Sequence, residues 1–349
     1  MDNTIVISTP PHVKSARTTK KIMLDVIIAL APATIAGLIF FGWQALVLII
    51  TSILGAVAAE FVYYFIYNGG FTKKCANAKD VCRKWLKQFD FTSVVTGLIL
   101  ALIIPSTVQW YEVLIGAIFA IVIVKMLFGG TGRNLVNPAA AGRVMMFLSF
   151  SLTMTSYVAA NFEPISLDSQ LFTGATNLSG WLLNTDNPSG HIEWIDLFLG
   201  TGLAGCIGET CKLALIIGYI YLVVRKVIKW WQPLLYVVLS AFLSVCMAAT
   251  VEGAGFDISL FVDYALSGGL MFGAIFIATD YVTSPKGIYG QIVYYVLLAV
   301  LTSLLRFYTK IEVVSFVIMI GNLLVPLIDT YIVRMPLGYR RAKKAKEGK

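Results

Sequence analysis

Apolar runs of about 20 residues, the length a helix needs to cross a bilayer, recur from residue 22 to residue 333 of this chain. Inside lipid no water bonds to the backbone, so runs of this kind must be helices that satisfy their own N–H and C=O groups. Set against turn residues, the runs give ten spans: 22–42, 45–67, 93–109, 112–128, 144–160, 197–223, 232–251, 263–279, 288–305 and 312–333. The third is short and ends at Pro105. Charged residues make up 13% of the 349, against about 25% in soluble domains. The expected fold class is therefore an all-α polytopic membrane protein. A membrane domain at 22–333 lies between a polar N-terminal segment, 1–21, with no cleavable signal, and a basic tail, 334–349. The net charge of +8 sits mostly in loops and tail, so the expected surroundings are a lipid bilayer and not nucleic acid.

Lys and Arg positions orient the spans. Lys14, Arg17, Lys20 and Lys21 precede the first span, and Lys73, Lys74, Lys79, Arg83, Lys84 and Lys87 follow the second. Arg133 and Arg143 follow the fourth, Arg225, Lys226 and Lys229 the sixth, and Lys286 the eighth. With ten spans counted, all of these fall on one side, and Arg306 with Lys310 is the exception. Between Val144 and Cys211 there is no Lys or Arg. Both termini are thus expected in the cytoplasm and the loop 161–196 outside it. A short internal echo links "TGLILALIIPST" in the third span to "GGLMFGAIFIATDYVTSP" in the eighth, and "NLVNPAAAGR" to "GNLLVPLIDT". Two halves, about 22–160 and 197–333, would then run in opposite senses through the membrane, as in inverted-repeat transporters.

Charged groups within apolar runs are costly and mark pathways. Asp25 and Glu60 lie inside the first two spans, with Lys125, Glu209, Asp280 and Asp329 nearer span ends. Asp280 in "ATDYVTSP" and Asp329 in "PLID" stand beside prolines, where a helix can break and offer backbone groups to an ion or cofactor. With Asn137 they are the candidate ion or flavin pathway. "GTGLAGCIGET" contains G-x-G-x-x-G but lies in an apolar run without the strand a dinucleotide site needs; its small residues point to close helix approach instead. The five cysteines are scattered without paired spacing, which argues against a disulfide framework, and no metal site is expected.

The loop 161–196 holds a polar island, "LDSQLFTGATNLSGW". Its Thr173-Gly174-Ala175-Thr176 is similar to the S/T-G-A-T flavinylation motif of the membrane flavoprotein subunits of Rnf complexes and of the Na+-translocating NADH:quinone reductase. "STPPHVKSARTTKKIMLDVIIALAPA", "TGLILALIIPSTV", "LVNPAAAGR", "GCIGET", "ATDYVTSP" and "PLID" resemble the Rnf D subunit, in the expected order along the chain. Tyr281 stands where that family usually has a proline. The resemblance implies a urea-transporter-like fold of two inverted five-helix repeats. It also implies FMN joined through its phosphate to the Thr176 hydroxyl by a flavin transferase, with Thr173, Gly174 and Ala175 as the recognition sequence. Backbone N–H groups around Gly174 and Ala175, with His191, would face the phosphate. Related subunits also hold a non-covalent riboflavin. The implied activity is that of a subunit of an ion-translocating ferredoxin:NAD+ oxidoreductase in a bacterial or archaeal cell membrane. It would relay electrons and couple them to Na+ or H+ movement beside other Rnf subunits. The alternatives are the B-type subunit of the quinone reductase and a stand-alone transporter or channel of the same fold.

Overall fold

The computed structural model describes residues 17–67, 78–158, 173–174, 194–200, 203–251, 258–309 and 311–332. Helix α1, Thr19–Tyr67, runs for 49 residues. At about 1.5 Å per residue that is far longer than a bilayer core of about 30 Å. Gly42 divides it, with φ 59° and ψ −139°, a conformation open to glycine because it lacks a Cβ. Segments 19–41 and 43–67 are each long enough to cross a membrane. Then come α2, Ala78–Gln88, α3, Thr92–Leu102, and α4, Trp110–Ile118, which continues as a π-helix over Phe119–Met126. Helix α5 is Pro138–Ser149 and α6 is Ser151–Thr155.

The second half opens with α7, Trp194–Leu199, and α8, Lys212–Val224. It continues with α9, Trp231–Val251, and α10, Ile258–Leu266. Next is α11, Leu270–Phe272, continued by a π-helix over Gly273–Ile277. Helices α12, Ile288–Thr309, and α13, Val314–Tyr331, close the described chain. Among the described residues, α1, α9, α12 and α13 are long and apolar enough to span a membrane, and the pair Ile258–Leu266 with Leu270–Ile277, bent by 64°, gives a fifth when counted as one span.

Several expected spans are differently built. The run 93–109 is helical only to Leu102; Ile103 and Ile104 are non-helical and buried. Their turn meets the Gly-rich stretch before α8, where the Gly208 N–H donates to the Leu102 carbonyl (2.7 Å) and the Ile207 N–H to that of Ile104 (3.1 Å). The run 197–223 is therefore not one helix, because residues 203–211 are non-helical, with a turn at 207–209. Close approach is what two of its glycines serve: a Cβ on Gly208 would meet Leu102, and one on Gly200 the Thr210 carbonyl oxygen. The fifth span begins at Pro138, not at 144, and gives way to strand at Tyr157. Asn137 as N-cap and Pro138 at the first helical position explain the earlier start. The second echo joins unlike places, since Pro138 opens α5 whereas Pro326 lies inside α13.

Helices α1 and α8 meet at Gly218, where an added Cβ would collide with the Ala29 carbonyl oxygen. Without a hydrophobic force between helices in lipid, such backbone contact is a main source of packing energy. Gly218→Ala is expected to destabilise the chain by about 1–3 kcal/mol, read as a lower unfolding temperature in detergent. Gly205→Ala, with nothing within 4 Å of its Cβ position, should stay close to wild type.

Candidate functional site

Of the stretch expected to carry FMN, Thr173 and Gly174 form strand β2; Ala175 and Thr176, like His191, lie outside the described residues. Strand β2 pairs antiparallel with β1, Tyr157–Val158, Tyr157 opposite Gly174 and Val158 opposite Thr173. The ladder is tied to the membrane helices by Thr107, whose hydroxyl reaches the Thr153 (2.9 Å) and Ser156 (2.7 Å) carbonyls just before β1. Tyr157 is buried beside it.

Two of the three polar pathway candidates, Asn137 and Asp280, meet at a cavity of about 100 Å³. One side chain joins the two halves of the chain there. Asn137 Oδ1 accepts from the N–H groups of Ala139 (3.0 Å) and Ala140 (3.3 Å), capping α5, while Nδ2 donates to Asp280 Oδ2 at 3.3 Å. Asp280, in the turn beyond the second π-helix, also accepts from Thr283 Oγ1 (3.2 Å) and the Val282 N–H (3.3 Å). The buried Asn322 amide of α13, turned so that its oxygen meets the Asn137 N–H at 3.1 Å and its nitrogen the Thr283 carbonyl at 3.2 Å, closes the same corner. Tyr281, where a proline was expected, points its hydroxyl to the Val227 carbonyl at 2.6 Å, and both residues line the cavity. Asp329 is elsewhere: it accepts from the Lys286 N–H at 3.3 Å, holding the turn after Asp280, and does not line the cavity. Asn137 and Asp280 are thus brought together and Asp329 is not.

The cavity wall has residues that sequence reasoning did not assign to it. Lys125, at the end of the first π-helix, lines it with Thr92, Thr96 and Thr131. Asn134 also lines it, and its Oδ1 is buried with no hydrogen-bond partner. An orphaned acceptor of this kind costs about 1–3 kcal/mol unless a partner arrives. Apolar side chains such as Ile99, Leu222 and Phe276 complete the wall. A mainly apolar concavity with a few convergent polar groups is the usual character of a cofactor site, and the unpartnered Asn134 oxygen suits a ligand that brings an N–H or O–H. The isoalloxazine of a flavin is such a ligand.

A second polar cluster lies at the other end of α8, about 15 Å along its axis from Leu222 to Lys212 at the usual helical rise. It surrounds the break between α10 and α11, where Gly268 has φ 58°. In lipid the backbone groups freed at a break need partners, and charged side chains supply them. Arg306 Nη2 donates to the Ser267 carbonyl (3.4 Å), Lys212 Nζ to that of Gly268 (2.7 Å), and Glu312 Oε2 accepts from the Gly269 N–H (3.1 Å). Arg306 and Glu312 are paired at 2.8 Å, and Arg143 pairs with Glu209 at 3.6 Å while donating to Ser315 Oγ at 3.0 Å. All five charged groups are buried. Arg143 is thus inside α5 and not in a loop, and Arg306, the exception to the charge rule, is a buried partner and not a loop charge.

The sequence profile of the NQR2, RnfD, RnfE family matches residues 6–338. The chain belongs to that family. Among its curated relatives, the D subunit of the Na+-translocating ferredoxin:NAD+ oxidoreductase complex of Acetobacterium woodii is 34% identical over 345 residues, 97% of each chain. Its counterpart in the proton-translocating ferredoxin:NAD+ oxidoreductase complex of Clostridium ljungdahlii is also 34% identical, over 97% of this chain and 98% of its own. The D subunit of the ion-translocating oxidoreductase complex of Escherichia fergusonii is 32% identical over 96% and 99%. For this member of the NQR2, RnfD, RnfE family, the matched range 6–338 takes in both polar clusters and Thr173-Gly174-Ala175-Thr176.

Proposed function

We propose that the chain is the D subunit of an Rnf-type ion-translocating ferredoxin:NAD+ oxidoreductase, a membrane oxidoreductase subunit active within its complex. The observation that carries this is the likeness to subunits of that name over 97% of both chains. FMN attached at Thr176, within Thr173-Gly174-Ala175-Thr176, is the first redox group of this reading, placed there by a flavin transferase. The Asn137–Asp280 cavity is the place for a second, non-covalent flavin such as riboflavin. A flavin passes electrons one or two at a time; the protein holds it, sets its electrostatic surroundings and keeps water out. Here Asn137 and Asp280 would fix its polar edge and Asn134 would accept a hydrogen bond from it.

Two inverted five-helix halves, with 22–160 as the first and 197–333 as the second, fit the polar clusters. What supports them is a matched pair of breaks. Phe91 (φ 65°) separates α2 from α3, and Gly268 (φ 58°) separates α10 from α11. Each break is met by a cation from the end of the following long helical segment: Lys125 bonds Thr92 Oγ1 and Arg306 bonds the Ser267 carbonyl. At the start of each next helix a side chain accepts a backbone N–H: the N-cap Asn137 that of Ala139 in α5, and Glu312 that of Val314 in α13. The Asn137 cluster would face the cytoplasm with both termini, and the Arg306 cluster would face the outside with loop 161–196. Alternating exposure of the two clusters would move the coupling ion, with Asn137, Asp280 and Asp329 on its path.

Inverted membrane vesicles supplied with reduced ferredoxin and NAD+ should accumulate ions when this chain is present. They should lose that uptake when the gene is deleted and regain it when the gene is returned; unchanged uptake without the chain overturns the assignment. Two relatives of equal identity are named for Na+ and for protons, so overall similarity does not select the ion. Uptake that stops in Na+-free buffer assigns Na+, and uptake that persists assigns protons.

A further inference from the structure

Lys125 is a cation inside an apolar helix, and its side chain is 2% exposed. Among the described residues lining the cavity it is the one cation, and Asp280 is the one anion. An ammonium at that depth needs three acceptors for its three protons. Only the Thr92 hydroxyl is at close range; Ser93 Oγ stands at 3.4 Å and Glu60 Oε1 at 3.5 Å. Thr92 gives its own proton to Asp90 Oδ1 at 2.6 Å, so it receives one from Lys125. Glu60 in turn has Oε2 buried and without a partner. The group is polar but under-bonded, as expected where a charge is held ready for a change elsewhere.

We infer that Lys125 sets the reduction potential of the flavin in the Asn137–Asp280 cavity, with Glu60 as its counter-charge. This rests on the proposal that the cavity holds a flavin. An electron arriving from a partner subunit's redox group adds one negative charge to the cavity. In a low-dielectric site a fixed cation on the wall stabilises that charge strongly, and the long, loosely held Lys125–Glu60 contact lets the ammonium turn toward it. Asp280, held by Asn137, Thr283 and the Val282 N–H, opposes the added charge from the other wall. Lys125 and Asp280 come from different halves of the chain, so any movement of one half against the other changes the balance between them. That ties the electron affinity of the site to the conformation that carries the ion.

The test uses the full chain in detergent with Thr176→Ala, so that non-covalent flavin is the remaining chromophore. Flavin released by acid is counted first. No releasable flavin in the chain with its cavity unaltered would overturn the cavity reading and this inference together. With flavin present, potentials are measured by spectroelectrochemical titration. Lys125→Met should shift the one-electron equilibrium at least tenfold against reduction, about 59 mV. Lys125→Arg should restore the original potential, and Glu60→Gln should raise it. Flavin retained at full occupancy with an unchanged potential in Lys125→Met overturns the inference and leaves the cavity reading standing. Should Lys125→Met lose its flavin, Glu60→Gln decides: a raised potential supports the role of the pair and an unchanged one overturns it.

Discussion

Thr176→Ala should remove all covalently bound flavin from the chain. Run on a denaturing gel from its own host, the wild-type band should fluoresce under ultraviolet light and the variant band should be dark. The reason is chemical: attachment through phosphate needs a hydroxyl, and alanine has none. Thr176→Ser keeps a hydroxyl and should keep part of the signal, whereas Thr173→Ala, altering only the recognition sequence, should lower it less than Thr176→Ala does. Ion uptake driven by ferredoxin and NAD+ should fall with the flavin. An equally bright Thr176→Ala band would place the attachment elsewhere and end this reading of the loop. The described part of the loop gives the prediction a physical setting. Gly174 is held opposite Tyr157, on a strand whose partner is tied to the membrane helices through Thr107.

Much of the scaffold could be read from apolar periodicity, because lipid forces each backbone to satisfy itself locally and each long helix declares itself in one run. The segments that misled are those whose partners are far away in sequence. Residues 102–104 and 207–208 complete one another's hydrogen bonding, and neither stretch alone distinguishes a turn from a continuing helix. The charge rule treated Arg143 as a loop residue, although Asn137-Pro138 just before it is a helix start. It counted Arg306 as an outlying charge, although Glu312 six residues on is its partner at 2.8 Å. At the candidate cavity, Asp280 was found because a charged residue near a proline in an apolar run is rare. Asn134 escaped notice because nothing in "GGTGRN" shows that its side chain is buried, and Lys125 was visible as a charge but not as part of this wall.

The buried pair Arg306–Glu312 should make the largest contribution to stability of any ion pair in the described chain. Removing one member of a buried pair leaves the other desolvated and uncompensated, at a cost of about 3–5 kcal/mol. Arg306→Met also frees the Ser267 carbonyl at the α10–α11 break, so its unfolding temperature in detergent should drop furthest among single substitutions of the cluster. Glu312→Gln should cost less, because its one amide oxygen can still accept from the Gly269 N–H or the Val314 N–H, which the two carboxylate oxygens now serve separately. In the double variant Arg306→Met with Glu312→Gln no buried charge is left unpaired, and stability should recover part of the Arg306→Met loss. A strictly additive double-mutant cycle would show that the two residues act independently. The pair would then be no more than two separate supports of the break at Gly268, and the case for a matched ionic clamp at each helix break would lose its firmer half.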